Sequence, residues 1–301
     1  MTKASAAVAL LAIVGGGVLA GCDDAVGDDD DLGAPAPSVQ QSNQNGQDAP
    51  ADAKKITVGG HSVNVSCTGT DVPDRPVVVL MAGMGDDLTK LAGLQKTLSR
   101  DNRVCSYDRL GEGKSDKPAG PQNVGSSGEI LTGVLDQVAG RRPVVLAGHS
   151  AGGLLAARYA PEHQDRIKGV VLMDATPSTM IADTSEQIPE SATGDAGELR
   201  KQSIAVFGGE NPELLRFEDG PVQSAGDIPV AVIRHGGSYL SDIPQYGKGL
   251  EQAWVAGQRK WLALSSHSEA ITAPNSGHYI YTDAPDLAAQ TIERITSQVA
   301  K

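Results

Sequence analysis

The chain has 301 residues, with 25 Lys or Arg against 37 Asp or Glu, and a formal net charge of −12. This excess of acid excludes the basic face that a nucleic-acid binder needs to displace counterions from phosphate, and it argues against docking on anionic lipid through polybasic patches. With 40% apolar but only 3% aromatic residues, the chain can bury a large aliphatic core yet offers few stacking platforms for bases or sugars.

Residues 1–21 read as an export signal, since Lys3 gives a positive start and residues 4–21 form an uncharged, small-residue apolar run. The run ends in Leu19-Ala20-Gly21-Cys22, which resembles the lipobox of bacterial lipoproteins. That resemblance implies a diacylglycerol thioether on Cys22, and hence an exported cell-membrane lipoprotein facing the periplasm or the cell exterior. An ordinary secretory signal or a span that happens to contain a cysteine is the alternative. Residues 22–55 follow as an acidic linker: positions 23–53 carry eight Asp, no Glu and no base. Without those eight acids and Lys3 the remainder of the chain has a net charge of only −5. So polar a stretch cannot bury enough surface to offset its ordering entropy, and it predicts a disordered tether reaching about 30 Å. The Asp run at 28–31 lacks the spaced ligands and turn glycine of a calcium loop and reads as solvated spacer. Beyond Cys22 only Cys67 and Cys105 remain, and in an exported chain an even remainder reads as one disulfide.

The folded region is expected over 56–301. Residues 56–58 and 62–67 alternate apolar and polar around Gly59-Gly60, the pattern of a hairpin. Continuous apolar runs at 76–81, 103–107, 143–147 and 169–173 predict buried strands, with two more at 228–233 and 268–272. Helical patterns fall between them at 88–98, 129–139, 151–160 and 250–264, and an amphipathic helix closes the chain at 285–299. This alternation predicts a mostly parallel, eight-stranded sheet with helices on both faces. About 54 residues, 175–227, interrupt it with one helical stretch near 197–207, and an insertion of that length is read as a small lid over the sheet edge.

The chemistry falls on turns that follow strands. Gly148-His149-Ser150-Ala151-Gly152 is a G-x-S-x-G motif, a weak signal alone in a chain with 36 Gly. Context strengthens it, because the motif directly joins a buried strand to a small-residue helix. That junction is a nucleophile elbow, which leaves the Ser150 hydroxyl exposed and offers a helix N-terminus to an oxyanion. Ser150 therefore reads as a nucleophile. Among six histidines, His278 follows the last strand in Asn275-Ser276-Gly277-His278-Tyr279, on the same sheet edge as the elbow, and reads as its base. His235 also follows a strand and is a weaker candidate, while His149 is held inside the elbow.

Residues 56–301 resemble the α/β-hydrolase superfamily along their whole length. Four places carry the likeness: the strand and glycine turn ending in Gly83 and Gly85; Tyr107-Asp108-Arg109-Leu110-Gly111-Glu112-Gly113-Lys114-Ser115; the elbow; and Ser276-Gly277-His278-Tyr279. In the second, Asp108 and Arg109 read as structural rather than catalytic. The resemblance implies an oxyanion hole from the N–H groups of Ala151 and Met84, although Ala82 stands where many members carry His. It also leaves two acids open. Members usually place the acid after strand seven, where Asp242 comes late, and some place it after strand six, where Asp174 is next. A residue at the tip of a rigid strand reaches the base more readily, which favours Asp174 over Asp242. The superfamily's sheet order makes strands two and four neighbours, which puts Cys67 and Cys105 within disulfide range of each other.

These readings together predict a membrane-anchored serine hydrolase acting on a small, ester-like acyl substrate, with no cofactor and no metal. Fold and triad alone also allow cofactor-free perhydrolysis or C–C hydrolysis, and a cell-envelope binding protein is the non-enzymatic alternative.

Overall fold

The computed structural model describes residues 52–72, 74–210 and 215–300. The expected signal, Cys22 and nearly all of the linker lie outside these residues. The hairpin forms around Gly59 and Gly60, both at positive φ, but β1 (Ala53–Val58) starts three residues inside the stretch expected as disordered linker, because residues 53–55 pair antiparallel with residues 64–66 of β2 (His61–Thr68). The apolar runs become β3 (Val77–Met81), β4 (Val104–Tyr107), β5 (Val144–His149), β6 (Ile167–Met173), β7 (Val230–His235) and β8 (Ser268–Ala273). They join one eight-stranded sheet in the order β1-β2-β4-β3-β5-β6-β7-β8, and every pairing beyond β4 is parallel. This is the α/β-hydrolase fold.

Helices cover both faces, as a parallel sheet requires. Successive strand residues point to opposite sides. Val77, Val79 and Met81 therefore join one buried cluster with α2 (Val124–Val138) and α3 (Ser150–Tyr159), while Val78 and Leu80 join another with α1 (Ala92–Leu98) and α8 (Pro285–Val299). The segment between β6 and β7 contains α4 (Met180–Gln187) and α5 (Gly194–Gly208), and α6 (Gly247–Lys260) follows β7. A short α7 (Ile280–Asp283) links β8 to α8.

Three differences from the sequence reading have local causes. Helix α2 begins at Val124, five residues early, because Asn123 Oδ1 accepts from the Ser126 N–H while Ser126 Oγ accepts from the Asn123 N–H. That capping box uses Ser where the usual signature has Glu or Gln. The predicted helix at 88–98 opens as a 3-10 turn, Leu88–Leu91, capped by Asp87. Helix α4 was not anticipated, since its polar sequence buries only Met180 and Thr184.

Cys67 and Cys105 stand directly opposite each other in the antiparallel β2–β4 ladder and are joined by a disulfide, with Cα atoms 4.1 Å apart. The bond closes a loop of 38 residues, worth about 4 kcal/mol by loop-closure entropy. Peptide mapping without reductant is expected to recover the Cys67 and Cys105 peptides linked, and Cys67→Ala with Cys105→Ala is expected to lower the unfolding midpoint by several degrees. Separate peptides from the unreduced protein would contradict the pairing.

Candidate active site

Strand β5 runs into helix α3 with no intervening loop, so the chain reverses at Ser150 itself, whose φ is +51°. A side chain rarely tolerates this left-handed backbone, and such strain persists only where the surroundings enforce it. The enforcement is visible in the flanking glycines. A Cβ at Gly148 would lie 2.5 Å from the Gly152 carbonyl, and one at Gly152 would lie 2.4 Å from the Ala82 carbonyl. Ser150 Oγ has one hydrogen-bond partner among the described residues, Thr176 Oγ1 at 3.4 Å. Ala151, the second residue of α3, has its N–H among the donors that a helix start leaves unpaired.

The loop after β3 lies against this elbow and is braced from behind. Arg109, buried, donates from Nη1 to the Ala82 carbonyl and from Nη2 to the Gly83 carbonyl, each at 2.6 Å. Glu112 pairs with Arg109 at 2.7 Å and accepts from the Gly85 N–H at 3.0 Å. Burial alone would lower the Arg109 pKa, but the Glu112 charge reverses this and raises it. Met84 therefore sits in a loop clamped on both sides, with its own N–H unpaired among the described residues. Asp108 accepts from the N–H groups of Leu88 and Lys114 and from Asn64 Nδ2, at 2.7–2.8 Å. The segment 107–115 thus acts as scaffold.

Behind the elbow, His278 Nδ1 lies 2.8 Å from Asp174 Oδ2. Asp174 directly follows β6, again with left-handed backbone (φ +44°), and is fully buried. Burial would raise its pKa, but hydrogen bonds from His235 and His278 and the charges of both rings hold it well below the usual carboxylate range. A carboxylate only accepts, so His278 carries its proton on Nδ1 and leaves Nε2 free to take one. Asp242 is exposed at the end of the 3-10 turn Tyr239–Asp242 and makes no hydrogen bond or ion pair with His278. His149 is buried beside His278, with ring centroids 4.5 Å apart, and its Nε2–H donates to the His278 carbonyl at 3.0 Å. Burial, then the nearby His278, depress its pKa well below the ordinary value, so it is a neutral prop.

Two further groups reach Asp174 that sequence reasoning did not place there. His235, the last residue of β7, points Nδ1 at both Asp174 oxygens (2.8 and 2.9 Å) and Nε2 at Glu251 Oε1 (2.7 Å). Trp254 Nε1 donates to Asp174 Oδ1 at 3.0 Å. A titratable residue ending a parallel strand was a signal for His235. Nothing comparable marked Glu251 and Trp254, which lie three apart on one face of α6.

Helices α4, α5 and α6 pack over this region through Met180, Leu199, Leu250 and Trp254, together with Leu240 of the 3-10 turn. With Pro177 they line an apolar cavity of about 20 Å³, room for roughly one water.

The arrangement has counterparts among known proteins. Residues 76–224 match the family model described as alpha/beta hydrolase fold. A human (lyso)-N-acylphosphatidylethanolamine lipase is 32% identical over 104 residues, covering 34% of this chain and 30% of that protein. The chain spans less than a third of the length of the first curated relatives it matches. Among solved structures, a serine hydrolase involved in carbazole degradation superposes with a TM-score of 0.59 at 18% identity, covering 82% of this chain and 98% of its own. The carboxylesterase CesB of Bacillus subtilis superposes with a TM-score of 0.56 at 16% identity, covering 81% and 90%. The sheet order and the elbow agree with these likenesses: the chain belongs to the α/β-hydrolase superfamily.

Proposed function

We propose that this protein is an exported, lipid-anchored serine hydrolase that cleaves an ester-like acyl bond with Ser150, His278 and Asp174. The observation that carries the reading is the buried His278 Nδ1–Asp174 Oδ2 hydrogen bond at 2.8 Å, placed behind an elbow that strains Ser150 into a positive φ. Ser150 Oγ, held only by the long contact to Thr176, turns toward His278 Nε2 when substrate binds, and catalytic hydrogen bonds commonly tighten at that step. His278 takes the hydroxyl proton as Oγ attacks the carbonyl carbon. The N–H groups of Ala151 and Met84 receive the oxyanion, and the Arg109–Glu112 brace keeps the second of them in place. His278 then protonates the leaving alcohol, and water enters by the same route in reverse to release the acid.

That one relative is a lipase and one structural neighbour a carboxylesterase supports a carboxylic ester as the substrate class. The anchor is proposed from Leu19-Ala20-Gly21-Cys22, which would keep the enzyme at a membrane surface through two or more acyl chains.

A fluorophosphonate probe is expected to label the wild type and not Ser150→Ala, whose kcat on p-nitrophenyl butyrate falls by at least about 10⁴-fold. Labelling that persists in Ser150→Ala would sink the mechanism. In parallel, Asp174→Asn is expected to lower kcat about 10³–10⁴-fold and Asp242→Asn to stay within about twofold, so the reverse ranking would move the acid to Asp242. Detergent phase partitioning of the full chain expressed in bacteria is expected to follow the detergent phase, and Cys22→Ser to move to the aqueous phase. Equal partitioning of the two would refute the lipid anchor.

A further inference from the structure

The base and acid of the proposed triad are backed by a second ion pair that the hydrolytic mechanism does not require. His235 is completely buried, with a carboxylate oxygen at hydrogen-bond distance from each ring nitrogen: Asp174 at 2.8 Å and Glu251 at 2.7 Å. Carboxylates donate nothing, so a proton stands on both nitrogens and the ring is an imidazolium. Glu251 is fixed in turn by the Leu240 N–H, which donates to its other oxygen at 3.3 Å.

The geometry points to His235 and Glu251 as a positioning pair that locks Asp174 and sets how strongly it draws a proton onto His278. The inference rests on the hydrolase reading for its consequence in catalysis. Asp174 shares its single negative charge between two imidazole rings on opposite sides. The His235 cation therefore opposes protonation of His278, while Glu251, one ring further out, restores the balance more weakly because Coulomb interaction falls with distance. The other groups facing His235 are the rings of Tyr239 at 4.7 Å and Trp254 at 6.5 Å, and Arg234, whose Nη1 donates to the His235 carbonyl at 3.0 Å; His278 is faced in addition by the rings of His149, Tyr239 and Tyr279 and by the Asp86 carboxyl. Burial pulls the His235 pKa down, but Asp174 and then Glu251 raise it above the ordinary value.

Glu251→Gln preserves shape and hydrogen bonding while removing the outer charge. His235 then loses the carboxylate that holds its second proton and becomes neutral. With that cation gone, Asp174 pulls harder on His278, so the His278 pKa rises. His278 acts as base only when neutral, so the ascending limb of kcat/KM moves to higher pH.

The test combines two measurements on the full chain. Histidine ¹⁵N spectra are expected to show His235 doubly protonated at pH 7 in the wild type and singly protonated in Glu251→Gln, with the His278 titration shifted upward by roughly one unit. The pH profile of p-nitrophenyl butyrate hydrolysis is expected to shift alike, so that kcat/KM at pH 6 falls about tenfold while the high-pH plateau stays within a few-fold. Glu251→Asp, which keeps the charge, should recover most of the wild-type profile. A merely structural role would lower the plateau and leave the limb in place. A neutral His235 in the wild type, or unshifted His278 in Glu251→Gln, overturns the proposal. If the wild type neither turns over ester nor labels at Ser150, the hydrolase reading fails, and the ¹⁵N titrations still decide the ion pair on their own.

Discussion

One buried carboxylate organises the site. Asp174 sits where water cannot reach it and accepts from His278, His235 and the Trp254 indole, with the His235 backbone N–H adding a fourth donor at 3.2 Å. An ionised group out of water is costly unless its lone pairs are filled, and here they are filled from three separate elements. β7 supplies His235, α6 supplies Trp254, and the loop after β8 supplies His278. The satisfaction of one charge therefore fixes the relative placement of the elements around it, and the cap helices that pack on α6 inherit that placement.

The second organising pair, Arg109 with Glu112, works in the same way on the opposite side of Ser150. It spends its hydrogen bonds on backbone carbonyls and an amide of the loop after β3, so the loop has little conformational freedom left. The Tyr107–Ser115 signature thereby acts at a distance from any substrate. Its carboxylate Asp108, which a motif reader would be tempted to place in the chemistry, holds turns together.

Much of this was legible from residue patterns because those patterns report strong local constraints. Short apolar runs bounded by glycines and alternating with helical patterns match buried parallel strands, and a serine flanked by glycines where strand meets helix matches a cramped turn. The choice of Asp174 over Asp242 rested on rigidity, and the structure places the former on His278 and the latter in solvent. What escaped was the part that depends on three-dimensional convergence. Glu251 lies 16 residues from His235 on a helix whose amphipathic pattern would equally well put a glutamate in solvent, and α4 has too few apolar residues to announce itself. The acidity that dominates the whole-chain charge belongs mostly to the tract at 23–53, and it carried no information about the pocket.

The position proposed for the acid, Asp174, has a mechanical consequence. Ser150 and Asp174 follow β5 and β6, which are next-door strands, and the last pair in their ladder is His149 with Met173. The Thr176 N–H then donates to the Ser150 carbonyl at 3.0 Å, latching the two turns just beyond the ladder's end. With the acid after β7 instead, two ladders would separate nucleophile from acid, and any bending of the sheet between them would change their spacing. In the proposed triad, nucleophile and acid thus follow adjacent strands of one ladder, whose register shift between Val144 and Val145 lies at the end away from both turns, and the histidine is the member brought in from beyond β8.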